Sequence, residues 1–278
     1  MFGLGCLREL PDPRDWYIDT HPAAAQFFHT KPVFGQTLKV WSVGGTTVDL
    51  RRWCSPIENQ GALGSCTAQM AAGMVEFLER RALNRHTDAS RLFIYKTTRN
   101  LLGWTGDTGA YIRSTMKALT IFGAPPEKAW PYDVRRFEEE PTAYCYAYGQ
   151  SFQALRYFRI DREQQDRQQR VNLIKSVLYA HIPVGLGFLV YDYGNDAGEF
   201  TLPEQGAAPL GGHAIMLCGY DDGRKIGAST GAFMLRNSWG TGWGDKGYGW
   251  LPYDYVLRDL AWDIWALFKA EYLDEQQF

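Results

Sequence analysis

Three short segments place a cysteine, a histidine, an asparagine and a glutamine in glycine-rich surroundings. Those are the side chains a thiol-based acyl-transfer site needs. The first is Gln60–Ala68, QGALGSCTA. A thiol is a weak nucleophile until it ionises, at a pKa of about 8.5 for free cysteine. A helix N-terminus or a neighbouring imidazolium lowers that value. Cys66 stands where a helical pattern begins, with Ser65 as the expected N-cap, and Gly64 and Ser65 are small enough for a substrate carbonyl to approach. The second segment is GGHAIMLCGY, which sets His213 behind a double glycine at the start of an apolar strand. The third is RNSWGTGWGDKGYGW. In it Asn237 ends a β run, and its amide oxygen can fix the tautomer and ring plane of an imidazole base. Taken singly, Cys66 and His213 read as readily as buried structural residues, and Trp239 as core packing. The three segments together point to nucleophile, base and orienter.

The elements that must position these groups follow from periodicity. Ala71, Met74, Val75, Leu78 and Ala82 recur at helical spacing between Cys66 and Asn84, with Glu76, Glu79 and Arg80 on the opposite face. Further helices are expected over Ser90–Leu101, over Ala110–Phe122 up to Gly123, and over Asp166–His181 before Pro183. From there the pattern turns to short apolar or aromatic runs separated by glycines: VGLGFLVYDY, HAIMLCGY, GAFMLRNSW and YGWLPYDYV. Helices first and strands second indicate an α+β architecture.

The first 46 residues are rich in Pro, Gly and Thr and lack sustained periodicity. They read as an arm without its own core. Trp16, Tyr17, Phe27, Phe28, Val33 and Phe34 are too apolar to stay in water, since fully burying one such side chain contributes about 1.5–3 kcal/mol. The arm must therefore pack on the body. The GLG run at Gly3–Gly5 follows no strand, so it is not a dinucleotide fingerprint.

Bulk properties narrow the function classes. The chain has 278 residues, a formal net charge of −2 and 45% hydrophobic residues, as expected of an ordinary folded protein. Its arginine pairs are isolated, so it carries no nucleic-acid footprint. It holds no apolar run of membrane-spanning length. Met1–Trp16 lacks an apolar signal core, which leaves cytoplasmic residence or export by a signal-independent route. Without HExxH or CxxC, and with five scattered histidines, no metal or other cofactor is expected. Five cysteines leave at least one free thiol, and a Cys54–Cys145 bridge stays open.

Gln-Gly…Gly-Ser-Cys, then Gly-His-Ala, then Asn-Ser-Trp-Gly-Thr-Gly-Trp-Gly, in that order, closely resembles the papain-like cysteine peptidases. The resemblance runs from about Val48 into the C-terminal region. His213 lies within the roughly 130–150 residues after the nucleophile that this family shows. Asn237 lies somewhat further on than the family pattern, an excess that a loop over Asp221–Gly231 would absorb. The resemblance implies a two-lobed α+β fold: a mainly helical lobe over 47–155 carrying Cys66, and a β-barrel-like lobe over 156–278 carrying His213 and Asn237, with the cleft between them. It implies Cys66 as nucleophile, His213 as base, Asn237 as orienter, Gln60 as oxyanion donor beside the Cys66 N–H, and Trp239 as the screen over the asparagine. Asp107–Ala110 resembles the glycine-rich wall that pairs with substrate backbone, with Gly109 and Ala110 as substrate-binding residues, and Gly212 and Ala214 leave room beside the base. Thr67 replaces the usual aromatic after the nucleophile, and Leu63 replaces a half-cystine. Both changes, with a short preceding segment, look like a prokaryotic branch. By family precedent the arm over residues 1–46 runs through the cleft and blocks it; the alternative is an arm that only covers a lobe's outer surface. A peptide or protein is the implied substrate; acyl transfer to an amine on the same thioester, or a non-catalytic binding module, are the alternatives. Side-chain specificity and oligomeric state are not legible.

Overall fold

The computed structural model describes residues 2–22, 45–150 and 155–269. In chain order these form strands β1 (Cys6–Leu7) and β2 (Thr47–Asp49), helices α1 (Cys66–Leu83) and α2 (Arg91–Leu102), strand β3 (Ala110–Tyr111), and helices α3 (Ile112–Phe122) and α4 (Ala143–Gly149). Strand β4 (Leu155–Arg159), helix α5 (Arg167–Tyr179) and strands β5 (Val184–Val190), β6 (Gly211–Ile226), β7 (Ser229–Arg236) and β8 (Tyr248–Pro252) follow. Helix α6 (Asp254–Leu257) and strand β9 (Ala261–Lys269) close the order. The α+β expectation is met. The large sheet is antiparallel and runs β4-β9-β5-β6-β7-β8, with β2 added to β6. It is open, where the sequence suggested a barrel-like closure. Among the described residues no helix is long and apolar enough to cross a membrane.

Local chemistry explains most boundaries. Ser90 caps α2 by accepting from the Phe93 N–H, and Gly103 ends it in the left-handed region at φ 68°. Asp166 caps α5 through the Gln169 N–H. Helix α3 starts two residues later than its periodicity suggests. Ala110 and Tyr111 are drawn into β3, which pairs in parallel with β1 of the N-terminal arm. The Asp221–Gly231 segment, expected as a loop, instead prolongs the β6–β7 hairpin, with Lys225 opposite Thr230 and Ile226 opposite Ser229. A break in register between Asp221 and Lys225 hides the strand pattern.

Helix α1 departs most from its reading. Every residue from Cys66 to Glu79 is buried, so the helix is a central pillar and not an amphipathic surface element. Its carboxylates go inward because each finds donors. Glu76 accepts from Ser55 Oγ at 2.5 Å and from the Ala89 N–H at 2.9 Å. Glu79 accepts from the Thr87 N–H at 2.9 Å. Burial pushes the Glu76 carboxyl upward, and the Arg236 charge acts against that rise. Strand β5 presses on the pillar at Gly185, where a Cβ would stand 2.5 Å from Met70 Sδ. All five cysteines are free thiols, so the Cys54–Cys145 bridge is not formed.

The arm packs on the body as expected in part. Ile18 is 1% exposed, and Tyr17 bridges to Arg159. Trp16 stays 47% exposed and stacks on His21 at 4.3 Å. Phe27, Phe28, Val33 and Phe34 lie outside the described residues.

Glu76→Ala would strand the Ser55 hydroxyl and the Ala89 N–H inside the core, at a cost of about 1–3 kcal/mol for each unsatisfied group. Chemical denaturation is expected to show a lower midpoint with an unchanged slope. An unchanged midpoint would mean that the buried carboxylate is not required for stability.

Candidate active site

Cys66 opens α1 and is fully buried. Ser65 holds the N-cap position but its side chain makes no cap; its hydroxyl lies 2.7 Å from Tyr132 Oη instead. Backbone N–H groups of Ala214, Gly5 and Thr67 lie on the side of the Cys66 thiol and favour its charged form. Ala214 follows His213 on β6, so the strand that carries the histidine also borders the thiol.

His213 is fully buried and faces Phe188 across the β5–β6 pair. Its Nε2 lies 2.8 Å from Asn237 Oδ1, just past the end of β7. That oxygen also accepts the Ser238 N–H at 2.8 Å. An amide oxygen can only accept, so the imidazole proton belongs on Nε2. Nδ1 has no hydrogen-bond partner and can take a proton. Trp239 stacks on the imidazole at 4.5 Å and 24°.

Gln60 is fully buried. Its Oε1 accepts from Ser238 Oγ at 2.6 Å, which turns Nε2 toward the cleft. There Nε2 donates to Leu63 O at 2.9 Å and to Gly3 O at 3.0 Å. A carbonyl from the arm thus occupies the amide that the sequence reading assigns to an oxyanion.

The arm's path continues in both directions from that contact. Gly3 N–H donates to Gly61 O at 2.9 Å, and Ala110 N–H donates to Gly5 O at 2.8 Å. Cys6 and Leu7 then pair in parallel with Ala110 and Tyr111. Phe2 stacks on Trp239 at 4.8 Å and 8°. The fit depends on missing side chains. A Cβ on Gly3 would overlap Leu63 O, and one on Gly5 would overlap Gly64 O. Gly109 and Gly212 leave the matching space on the walls, for Gly5 O and Cys6 O. Gly109, Ala110, Gly212 and Trp239 therefore all border the arm, whereas Ala214 is 1% exposed and its N–H serves the sulfur.

Sequence reading missed several residues that shape this strip. Asp107 accepts the Gly64 N–H at 3.0 Å and the Tyr95 hydroxyl at 2.6 Å, tying the wall to the loop before Cys66. Ser238 and Tyr132 hold Gln60. The alternating Gly3 and Gly5 carried a usable signal, since such a pattern marks close backbone approach.

Burial pushes the Cys66 thiol up to about 11, against N–H donors that lower it. Burial likewise pushes His213 down to about 4, partly offset by its bond to Asn237. In this covered state both groups are neutral. For Cys66 desolvation outweighs the N–H donors in this covered state. Cys54 is the thiol drawn downward, first by a hydrogen bond from Cys218 and then by the Arg236 charge. Among the described residues no group of three or more His, Cys, Asp or Glu side chains is placed to hold a metal ion.

Residues 45–256 match the model of the papain family cysteine proteases. The chain belongs to that family. It is 34% identical over 218 residues to an uncharacterised peptidase C1-like protein of Acanthamoeba polyphaga mimivirus, covering 75% of this chain and 68% of that one. It is 28% identical over 198 residues to the thiol protease aleurain of Arabidopsis thaliana, covering 70% of this chain but only 51% of that one. Among solved structures, xylellain, a cysteine protease from Xylella fastidiosa, superposes with a TM-score of 0.74 at 29% identity, covering 96% of both chains. That bacterial neighbour fits the prokaryotic branch suggested by Thr67 and Leu63.

A raised thiol pKa has a definite signature. Alkylation of Cys66 by iodoacetamide in the intact chain is expected to be slow at pH 7 and to climb as the pH approaches about 11, where the thiolate forms. Mass mapping of the labelled cysteine across a pH series measures this. Rapid labelling of Cys66 at pH 6 would contradict it.

Proposed function

We propose that this chain is a peptide-bond hydrolase that works through Cys66, His213, Asn237 and Gln60, and that residues 2–7 hold it in a covered form. The observation that carries the reading is the bond between His213 Nε2 and Asn237 Oδ1 at 2.8 Å. It leaves Nδ1 bare to take a proton, while Cys66 stands at a helix N-terminus. Once the cleft opens, water returns and the desolvation that keeps both groups neutral is relieved. The thiol proton passes to Nδ1, and the thiolate attacks the scissile carbonyl carbon. The developing oxyanion takes hydrogen bonds from Gln60 Nε2 and the Cys66 N–H. The imidazolium then protonates the leaving amine, and a thioester remains. Water, deprotonated by His213, attacks the thioester and releases the acid, returning the proton to sulfur.

The geometry also gives a reason why the arm survives in the cleft. The leaving amine must lie on the His213 side of Cys66 to receive its proton, so the C-terminal half of a substrate runs toward Trp239. Its acyl half lies along Gly109 and Ala110. The arm runs the other way, with Phe2 on Trp239 and Cys6 opposite Ala110. In that polarity a tetrahedral adduct at Gly3 would place its amine away from the proton donor.

The arm is anchored outside the cleft by buried charge. Arg113 pairs with Glu9 at 2.6 Å and with Asp15 at 2.7 Å. Arg159 reaches Asp15 at 3.3 Å and Asp263 at 2.9 Å, and Asp263 accepts the Glu9 N–H at 2.8 Å. Asp15 and Arg159 have side chains only 4% and 2% exposed. Pairs so desolvated break at a substantial cost when one partner is lost.

Gly5→Leu cannot seat against the Gly64 carbonyl. In the full-length chain it is expected to raise turnover of a short fluorogenic peptide at least tenfold over the parent. Equal rates in the two chains would show that the arm does not block the site. In the opened chain Cys66→Ala should abolish turnover, and Asn237→Ala should lose less kcat/KM than His213→Ala, because the base survives while its orientation degrades. Equal losses would remove the orienting role from Asn237.

A further inference from the structure

Gln60 and the Cys66 N–H can share one oxyanion only if the distance between them is fixed, and they lie at opposite ends of the loop Gln60–Cys66. Inside that loop Leu63 O accepts both from Gln60 Nε2 at 2.9 Å and from the Ser65 N–H at 2.8 Å, which ties the ends through one carbonyl. One external side chain adds a second link. Tyr132 Oη lies 3.0 Å from Gln60 O and 2.7 Å from Ser65 Oγ. The Gln60 carbonyl can only accept, so the single phenol proton goes there, and Ser65 must donate to the phenol oxygen. Ser65 can do so because its side chain is not used as a helix cap. Its carbonyl belongs to the same planar peptide as the Cys66 N–H, so holding Ser65 also holds that donor.

The tyrosine is itself braced. Its N–H donates to Glu127 Oε1 at 2.5 Å, and Ser90 Oγ donates to Trp130 O at 2.5 Å. The Arg91 guanidinium lies 5.0 Å over the ring and pairs with both Glu127 and Glu58. The loop before the nucleophile is thereby referred to the first turn of α2, a rigid element outside the cleft. Burial pushes the phenol upward, so it stays protonated as a donor across the neutral range.

We infer that Tyr132 is a positioning residue for the oxyanion site, setting the separation of the Gln60 amide from the Cys66 N–H through its bonds to Gln60 O and Ser65 Oγ. It touches no reacting atom. The inference rests on the reading of Gln60 as an oxyanion donor, and its signature differs from that of a fold defect. Acyl transfer passes through an oxyanion; alkylation of the thiolate does not.

The test uses the full-length chain opened by Gly5→Leu, with two reactions measured side by side: cleavage of a fluorogenic peptide, and second-order alkylation of Cys66 by iodoacetamide. Gln60→Ala should lose about 10²–10³ in kcat, the usual cost of removing one oxyanion donor. Tyr132→Phe keeps the ring and removes both bonds. It should lower kcat about tenfold, less than removing the donor itself, with KM and the alkylation rate changed less than twofold. Ser65→Ala, which breaks the same bridge from its other end, should give the same selective loss and serves if Tyr132→Phe folds poorly. The inference is overturned if cleavage is unchanged in the bridge variants while Gln60→Ala is impaired, or if alkylation falls in parallel with cleavage. If Gln60→Ala itself cleaves normally, the oxyanion assignment fails and the inference falls with it.

Discussion

Helix α1 has no solvent-facing side until its last turns, and the geometry of the cleft depends on that burial. A helix packed on every side cannot roll or slide without opening voids, and close-packed interiors resist voids strongly. Its first turn is therefore a fixed point, and Cys66 is fixed with it. Strand β6 lies against the same helix and carries Ala214, whose N–H favours the thiolate of Cys66. His213 precedes Ala214, and the antiparallel pairing of β6 with β7 returns the chain so that Asn237 falls beside the imidazole. Three side chains far apart in sequence thus inherit their separation from one helix and one hairpin. Only Gln60, on the loop ahead of the helix, needs separate props, and it has them in Ser238 and Tyr132.

The sequence disclosed the segments that meet in the candidate site far better than the groups that hold them. Cys66, His213 and Asn237 stand in glycine-rich runs whose residue types state a requirement, and the helices beginning near Ser90 and Asp166 were readable as helical segments, whereas the cap read at Ser65 is not made by its side chain. Glu76 and Glu79 were not readable as buried, because their donors come from residues distant in chain or loop: Ser55, Ala89 and Thr87. Periodicity reports one helix face against another and is silent when neighbours cover both. The β6–β7 extension was masked by its register break. Tyr132 carried no local signal, since its importance arises from where Gln60 O and Ser65 Oγ meet in space. The same holds for the arm: parallel pairing of Cys6 with Ala110 leaves no periodic trace in a two-residue strand.

Burial acts on this site in two directions. A neutral thiol and a neutral imidazole are what burial imposes, whereas the ion pair that the proposed attack requires is favoured by partial solvation and the helix dipole. The arm therefore does more than fill space. It offers Gly5 N–H to the sulfur and Gly3 O to the Gln60 amide, satisfying groups that would otherwise face water, while keeping the dielectric low. The covering segment is matched to the cleft in hydrogen bonding as well as in shape, which explains why glycines stand where backbone must reach backbone.

A last consequence follows from the arm being part of the same polypeptide. Cys6 and Ala110 are partners within one chain, so their encounter is unimolecular. A tethered segment of this kind commonly experiences its site at an effective concentration in the millimolar range, fixed by the connecting length and not by how much protein is present. Dilution therefore leaves the occupancy of the cleft unchanged. A free peptide competing for the same strip must overcome a local rival at that concentration, and one weakened bond at the anchor shifts the balance in every copy equally. On the proposed reading, the ratio of open to closed molecules is a constant of each chain, insensitive to expression level and sensitive to single residues such as Asp15.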